Sequence, residues 1–296
     1  MLRIGLFLGT NLAVLFILNL ILTVLVLNQP GTSYVPLLIV AGVVGMAGSF
    51  ISLMMSKSMA KRSAGAQVIE SPSNENERWL VSTVHAQADK AGIGKPEVAI
   101  FDSSAPNAFA TGANKNNALV AVSTGLLDTM EQDEVEAVLG HEVSHVANGD
   151  MVTLSLIQGV VNTFVIVFSQ IISSLIDRRG GGGYNQSGYG YGRGMGYRFT
   201  YMITQTILGF LATIVVRWFS RWREFRADAG GAQLAGKEKM INALERLQQL
   251  QRPAQLPAHM QALGVNGGLL GAAGLKKLTM THPPLEKRIE ALRHAG

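Results

Sequence analysis

The chain has 296 residues, of which 48% are hydrophobic and only 15% are charged, with a formal net charge of +5. Soluble domains usually carry about 25% charged residues, so this composition excludes an ordinary soluble protein. The absence of Cys excludes disulfides and thiolate metal ligands, and the lack of a basic stripe interleaved with aromatic residues gives no reason to expect a nucleic-acid partner.

Four apolar segments account for the low charge, and each is close to the roughly 20 residues that cross a bilayer as a helix. They run from about Ile4 to Leu27, Tyr34 to Met55, Leu154 to Ile176 and Phe199 to Phe219. The first is too long for a signal peptide and no small-residue cleavage site follows it, so we expect an uncleaved anchor. The sequence therefore predicts two membrane hairpins, within residues 1–62 and 154–220.

Lysine and arginine predict the orientation of the first hairpin. Arg3 precedes it, Lys57, Lys61 and Arg62 follow it, and the connection 28–33 contains neither residue type. Because the cytoplasmic flanks of membrane segments are rich in Lys and Arg, both ends should be cytoplasmic. Arginines flank both sides of the second hairpin, so charge does not orient it. Its two segments are expected either to cross the membrane or to re-enter it.

The polar regions predict helices and a small sheet. Ser73 is expected to cap a helix from about Asn74 to Ala91, which Gly92 and Gly94 should end. Strands are predicted at Glu97–Phe101, Phe109–Thr111 and Ala118–Ser123, and further helices from near Glu131, near Arg221 to Leu234, at Lys237 to Gln251 and at Pro284 to His294. Residues 180–196 are Gly-rich and predict a flexible linker, and residues 262–274 a loop or lid.

Residues His141-Glu-Val-Ser-His145 form an H-E-x-x-H sequence in the helix that is predicted to start near Glu131. Residues four apart share a helix face, so both imidazoles can bind one metal ion. Glu142 lies between them and can act as a general base on water beside the ion. Catalytic zinc is typically held in this way, and it polarises carbonyls and lowers the pKa of water. The motif therefore predicts zinc-dependent hydrolysis.

A catalytic zinc usually has three protein ligands, so a third must come from elsewhere. The candidates are His85, His259, His282, His294 and carboxylates near the membrane surface. Glu224 is favoured because it lies only five residues past the fourth apolar segment. Asp228, one turn later, can accept the free N–H of a ligand imidazole. Spacing alone leaves open that both carboxylates form a solvated ion-pair network with nearby arginines.

Two polar groups near the C-terminus are candidates for stabilising an oxyanion. His282 lies in Thr281-His-Pro-Pro284, and Arg288 lies one turn into the helix that follows. Either side chain can donate a hydrogen bond to the negative charge that develops during peptide hydrolysis. For His282 the alternative is favoured: the prolines simply mark the start of a helix.

An edge strand is predicted at Ala105–Gly112, where Pro106 starts it and Gly112 ends it. Such a strand can hold an extended substrate beside the metal by β-augmentation. Asn107, Ala108 and Phe109 are the residues expected to contact that substrate. An ordinary edge strand without a ligand is an equal alternative.

Three other functions fit the sequence less well. An intramembrane protease would carry the motif inside an apolar segment, but acidic residues precede it here, namely Asp128, Glu131, Asp133, Glu134 and Glu136. A non-catalytic membrane scaffold would not need Glu142. A transporter would need charged residues inside its spans, and the first three apolar segments contain none.

Four motifs make the chain resemble the HtpX-like membrane metalloproteases, which are relatives of the CAAX prenyl endopeptidases. The motifs are Pro106-Asn-Ala-Phe-Ala-Thr-Gly112, Leu139-Gly-His-Glu-Val-Ser-His145, Arg223-Glu-Phe-Arg-Ala-Asp228 and Thr281-His-Pro-Pro284. The four-segment plan and the C-terminal helix match as well, so the resemblance covers essentially the whole chain. The Gly/Tyr-rich linker departs from the family pattern.

The resemblance implies one zinc ion per subunit, held by His141, His145 and Glu224, with Glu142 as general base. It implies an α+β, mainly helical fold with a zincin-type catalytic domain and a small β-sheet, built from residues 63–153 and 221–296. It further implies a site on the cytoplasmic face of the bacterial inner membrane. The expected substrates are unfolded or damaged membrane proteins, in a quality-control role.

Overall fold

The computed structural model describes residues 35–179, 195–251 and 282–295. The first predicted membrane segment, nearly all of the Gly-rich linker, the candidate ligand His259 and the predicted lid 262–274 lie outside these residues. In chain order the elements are α1 (Val35–Ala64), β1 (Gln67–Val68), α2 (Glu75–Ala91), β2 (Glu97–Phe101), β3 (Ala108–Asn114), β4 (Asn117–Ser123), α3 (Thr124–Thr129), α4 (Gln132–Asn148), α5 (Asp150–Arg179), α6 (Met195–Ala235), α7 (Lys237–Gln251) and α8 (Leu285–His294).

Three of the described helices are long and apolar enough to cross a membrane: Leu38–Ala64, Asp150–Ile176 and Gly196–Ala235. They contain the second, third and fourth predicted segments. Residues Arg221 to Leu234 are helical as predicted, but they continue the helix of the fourth segment, because α6 runs without a break from Met195 to Ala235. No proline interrupts it, so its backbone hydrogen bonds run on from the apolar into the polar part.

The chain divides into two compact units, Met1–Ile51 with Ser155–Val216, and Ser52–Leu154 with Arg217–Gly296. In the first unit α1 packs on α5 through small residues. A Cβ added to Gly45 would lie 2.9 Å from the backbone nitrogen of Thr163, and Ser49 lies against Gly159. Small residues let membrane helices approach closely, which is the usual source of their packing. The four-part division drawn from the sequence stays a prediction.

The second unit contains a four-stranded sheet in the order β1-β2-β4-β3. Strands β2 and β4 are parallel, and the other pairs are antiparallel. The prediction of Glu97–Phe101 is confirmed, whereas the two-residue β1 was too short to produce a pattern. One sheet face, with Val98, Val120 and Val122, packs into the core formed with α2, α4, α7 and α8.

Strand β3 forms one edge of this sheet, but its bounds differ from the predicted Ala105–Gly112. It starts at Ala108, because the preceding segment is held by Ser123, whose hydroxyl accepts from the backbone N–H of Asn107 and donates to the carbonyl of Ala105. It passes Gly112 and ends at Asn114, with an irregular register between these two residues. A bulge of this kind leaves the strand able to continue past glycine.

The cap predicted for α2 was one residue too early. Asn74, at φ −135°, accepts the backbone N–H of Glu77 and is the N-cap. Ser73 contributes from the preceding position, donating its N–H and hydroxyl to the Glu77 carboxylate. Gly92, at φ 65°, ends the helix as predicted. Serine and asparagine cap helices about equally well, so the sequence did not show which of Ser73 and Asn74 is the N-cap.

Candidate metal site

Helix α4 carries the H-E-x-x-H sequence and has well-defined ends. Glu131 and Glu134 form a reciprocal capping box at its start, and Gly149, at φ 65°, ends it in the left-handed conformation. Between them His141 and His145 are each only 6% exposed. The fixed ends place both histidines on one buried face of the helix.

Three side chains converge at this face. The Nε2 atoms of His141 and His145 lie 3.1 Å apart. An oxygen of Glu224, from α6, lies 3.3 Å from the Nε2 of His145, and the other lies 3.6 Å from that of His141. Among the described residues these three form the one group of His, Asp and Glu side chains close enough together to hold a metal ion. His85, which contacts the carbonyl of Pro96, and His294 do not belong to it.

Glu224 and Asp228 do not form the solvated network that spacing alone allowed. Their residues are 2% and 1% exposed, so both carboxylates lie inside the protein. Asp228 Oδ1 lies 2.9 Å from the Nδ1 of His141, and Arg226 instead bonds to Asp150. The structure thus brings Asp228 to the ring position that the sequence analysis proposed for it.

Asp150 occupies the equivalent position on the second histidine, and sequence reasoning missed it. Its Oδ2 lies 2.7 Å from the Nδ1 of His145, and its residue is fully buried. Arg226 donates to Oδ1 at 2.7 Å, and Arg223 donates to the backbone carbonyl. The sequence did contain a signal for this contact. Asp150 directly follows Gly149, which ends the helix, and it lies five residues after His145.

The two helices that supply the ligands meet at glycines. A Cβ on Gly231 of α6 would lie 3.0 Å from the backbone nitrogen of His141, and one on Gly140 would lie 3.2 Å from the carbonyl oxygen of Gly231. A Cβ on Gly230 would lie closer still to the side chain of Ser144. Side chains at these positions would push the helices apart, so the glycines set the distance from Glu224 to the histidines.

Arg288 and His282 reach the site from the C-terminal part of the chain. Arg288 is buried and donates to both oxygens of Asp228, at 2.8 and 2.6 Å, while its Nη1 lies 3.5 Å from Glu224. His282 Nδ1 lies 2.6 Å from Glu224 Oε2, although 59% of the side chain is exposed. Both residues touch the acidic side chains of the site, and His282 alone also faces solvent.

Glu142 lies on α4 between the histidines and is half-buried. Its negative charge favours the protonated forms of both His145 and Arg288. The residues predicted to bind substrate lie at the start of the edge strand: Ala108 and Phe109 begin β3, and Asn107 precedes it. Strand β3 packs against α4, so the edge strand and the motif helix are direct neighbours.

The two histidine rings hold protons more tightly than usual. Burial opposes charge on His141, but hydrogen bonds to Asp228 and Glu224 outweigh it and raise its pKa. Burial opposes charge on His145 too, and hydrogen bonds to Asp150 and Glu224 raise its pKa to about 9. The surroundings of both rings therefore favour a positive charge at this point.

These donors fit zinc. In the neutral form of each ring, with its Nδ1–H donated to an aspartate, the Nε2 lone pair faces the other Nε2 atom and the Glu224 carboxylate. Ligand atoms at 2.0–2.1 Å from a tetrahedral zinc lie about 3.3 Å apart, close to the separations observed here. Carboxylates that orient ligand imidazoles are the usual surroundings of such a site.

Comparisons with known proteins place this site in context. The sequence profile of peptidase family M48 matches residues 74–295. "Protease HtpX" of Thioalkalivibrio sulfidiphilus is 56% identical over 297 residues, covering 98% of each chain. "Protease HtpX homolog" of Thiobacillus denitrificans is 58% identical over 295 residues, again covering 98% of each chain, and "Protease HtpX" of Xanthomonas oryzae pv. oryzae is 55% identical over 294 residues, covering 99% of this chain and 98% of the relative.

A solved structure shares the fold. The crystal structure of S. mikatae Ste24p superposes with a TM-score of 0.60 at 18% sequence identity. The match covers 97% of this chain and 63% of Ste24p, so the chain corresponds to about two thirds of that larger protein. At this identity the similarity concerns the fold alone.

Proposed function

The chain belongs to peptidase family M48 and is a membrane metallopeptidase, and from this premise we propose that His141, His145 and Glu224 bind one zinc ion per subunit and that Glu142 is the general base of peptide hydrolysis. The observation that carries the proposal is the convergence of both Nε2 atoms on the Glu224 carboxylate while both Nδ1 atoms bond to buried aspartates. Once both rings are neutral, this arrangement presents their Nε2 lone pairs and the Glu224 carboxylate to a cation.

The residues around the ligands have distinct roles in the proposed reaction. When bound, zinc supplies a Lewis acid for the scissile carbonyl and lowers the pKa of water. Glu142 takes the proton of the attacking water and delivers it to the leaving amine. His282, which is half-exposed and adjacent to Glu224, donates to the oxyanion. Arg288 is a positioning residue, because its two hydrogen bonds hold Asp228 against His141.

Strand β3 is the proposed binding surface for the substrate backbone. It is the edge of the sheet next to α4, and Ala108 and Phe109 begin it. An extended peptide added to this edge would run beside the motif helix, with main-chain hydrogen bonds giving affinity independent of sequence. Asn107, exposed just before the strand, is placed to bond to the amides of such a peptide.

We further propose that the site faces the cytoplasm at the bacterial inner membrane and acts on unfolded or damaged membrane proteins. Lys57, Lys61 and Arg62 at the end of α1 support the orientation. Recognition through backbone hydrogen bonds supports the substrate class, because an edge strand accepts any chain that is locally extended. A folded protein offers few such segments.

The test combines metal content with peptide cleavage by the full-length protein in detergent. The purified protein should contain about one zinc per chain and cleave casein, and a chelator should abolish cleavage reversibly. Glu142→Gln should lower kcat by roughly 100-fold or more while zinc content stays unchanged. Glu224→Ala should lose zinc. Full activity of Glu142→Gln, or unchanged zinc in Glu224→Ala, would reassign these roles.

A further inference from the structure

Helix α6 carries large exposed apolar side chains on both sides of Phe219, where its apolar sequence ends. Trp218, Trp222 and Phe225 are 63%, 59% and 37% exposed. Their spacing of four and three residues places them on one side of the helix. We call these three residues the aromatic face. Exposed apolar residues that form a contiguous patch indicate a contact surface rather than a water-facing helix.

The chemistry of the helix changes at the end of this face. The next residues on the same side are Ala229 and Gln233, both exposed, of which the first is small and the second polar. Upstream, Leu211 and Val215 continue the same side and are also exposed, at 50% and 52%. From residue 211 to residue 233 the exposed side thus changes from aliphatic to aromatic to polar.

This order matches the layers of a bilayer. Aliphatic residues suit the hydrocarbon core, and Trp is enriched at the boundary between hydrocarbon and headgroups, where its ring is amphipathic. Arg221 and Arg226 flank the aromatic face on its two sides, as expected from their helical positions relative to Trp222. Arg226 is bonded to Asp150, so the order of aliphatic, aromatic and polar side chains, and not arginine–phosphate contact, marks the boundary.

We propose that the aromatic face lies in the headgroup layer of the membrane, so that α6 leaves the bilayer between Phe225 and Ala229 rather than at Phe219. The occupant of this face is then lipid. A protein partner would not require aromatic residues to be confined to the two turns between an aliphatic and a polar stretch. The proposal concerns membrane depth and does not depend on peptidase activity.

The proposed depth also places the metal ligand. Trp222 and Glu224 are two residues apart, a rise of about 3 Å along the helix axis. Glu224 points to the opposite side of the helix, where it is 2% exposed. The ligand carboxylate is therefore level with the headgroups. If the site is the proposed peptidase centre, it reaches peptide bonds beside the membrane surface. Its substrates are then segments of membrane proteins that lie next to the bilayer.

Tryptophan fluorescence measures this depth directly, because the chain has three Trp residues, and Trp79 and Trp218 can be replaced. The full-length Trp79→Phe/Trp218→Phe protein would be reconstituted into phosphatidylcholine–phosphatidylglycerol vesicles. We expect Trp222 to lose roughly half its emission to lipids brominated near the carbonyl end of the acyl chain, and less to lipids brominated near the methyl end. Iodide on both sides of the membrane should quench it weakly. The Trp79→Phe/Trp222→Phe protein provides the same measurement at Trp218.

In the matched control the single tryptophan lies on the same side of the same helix, but beyond the proposed membrane boundary. This control combines Trp79→Phe, Trp218→Phe and Trp222→Phe with Gln233→Trp, about 16 Å farther along the axis. This protein should be quenched by iodide and not by brominated lipid. The proposal is overturned if Trp222 behaves like this control, since it would then face water. It is equally overturned if neither quencher reaches Trp222, since a protein surface would then cover it.

Discussion

His141 and His145, the proposed zinc ligands, are each oriented by a buried aspartate. Asp228 bonds to His141 at 2.9 Å and Asp150 to His145 at 2.7 Å. Each aspartate is in turn held by an arginine, Arg288 on the first and Arg226 on the second. The rings thus have their orientation set before a metal binds, and the aspartates keep a proton on Nδ1 when Nε2 loses its own, which lowers the entropic cost of binding.

Asp150→Asn tests this role at the position that the sequence did not reveal. The change removes the charge that bonds to His145 and Arg226 but retains the side-chain shape. We expect zinc affinity to fall about 10-fold or more, measured by competition with a chromogenic chelator. Asp133→Asn on α4, the helix that carries His145, is the control, because its side chain is 70% exposed. Equal zinc affinity in the two variants would exclude a positioning role for Asp150.

Zinc binding should be coupled to proton release. The pKa of His145 in the absence of a cation is about 9, raised from 6.5, so the ring is mostly protonated at pH 8. A ligand imidazole must be neutral, and its proton must therefore leave when zinc binds. Apparent zinc affinity should therefore rise with pH as His145 loses its proton, up to a pH of about 9. Calorimetry at pH 8 in buffers of different ionisation enthalpy measures the protons released, and zero release would contradict the raised pKa.

At the scale of elements, the site depends on how closely α6 crosses α4. Glu224 lies nearly two turns before the crossing, and Gly140, Gly230 and Gly231 let the two backbones come together. The break at Gly149 matters as well, because its φ of 65° ends α4 and lets Asp150 turn back onto His145. A helix that ran on from α4 into α5 would carry Asp150 away from the ring.

Gly231→Ala should separate the two ligand-bearing helices. The added Cβ would lie 3.0 Å from the backbone nitrogen of His141 and 3.2 Å from its Cα, and backbone cannot rotate away. We expect a destabilisation of about 1–3 kcal/mol and reduced zinc content, from thermal unfolding and metal analysis. Gly209→Ala, on the same helix with no neighbour within 4 Å, should retain both. Equal behaviour of the two variants would show that the crossing tolerates a methyl group.

At the scale of the whole molecule, two stretches that are far apart in sequence build one site. The second unit combines Ser52–Leu154 with Arg217–Gly296, and the residues between them belong to the first unit. Ligands from both stretches must lie on the same side of the membrane, so the intervening segments have to return the chain to the side it left. The proposed cytoplasmic location is a property of this whole arrangement.

The absence of Cys makes that location testable by labelling. Lys115→Cys places one thiol in the exposed connection between β3 and β4. A membrane-impermeant maleimide should label it only after spheroplasts are permeabilised, because the site is proposed to be cytoplasmic. Ser33→Cys, in the connection predicted to lie on the other side, should be labelled in intact spheroplasts. Labelling of Lys115→Cys in intact spheroplasts would place the catalytic unit outside the cytoplasm.

The sequence by itself determined the features that local chemistry controls. The H-E-x-x-H spacing placed two histidines on one helix face because a helix turn repeats about every four residues. The apolar runs at residues 34–55, 154–176 and 199–219 predicted three long helices because a bilayer requires that length. The strand at Glu97–Phe101 and the end of α2 at Gly92 followed from equally local patterns.

Only the tertiary structure decided which distant groups meet. Asp150 was invisible as a partner of His145, because the bond depends on a left-handed glycine that reverses the chain between them. Spacing also left Glu224 and Asp228 open to a solvated network, and burial against α4 and Arg288 removed that alternative. The energy of a buried carboxylate is set by the groups packed around it in space, and those come from parts of the chain whose order along the sequence does not reveal their proximity.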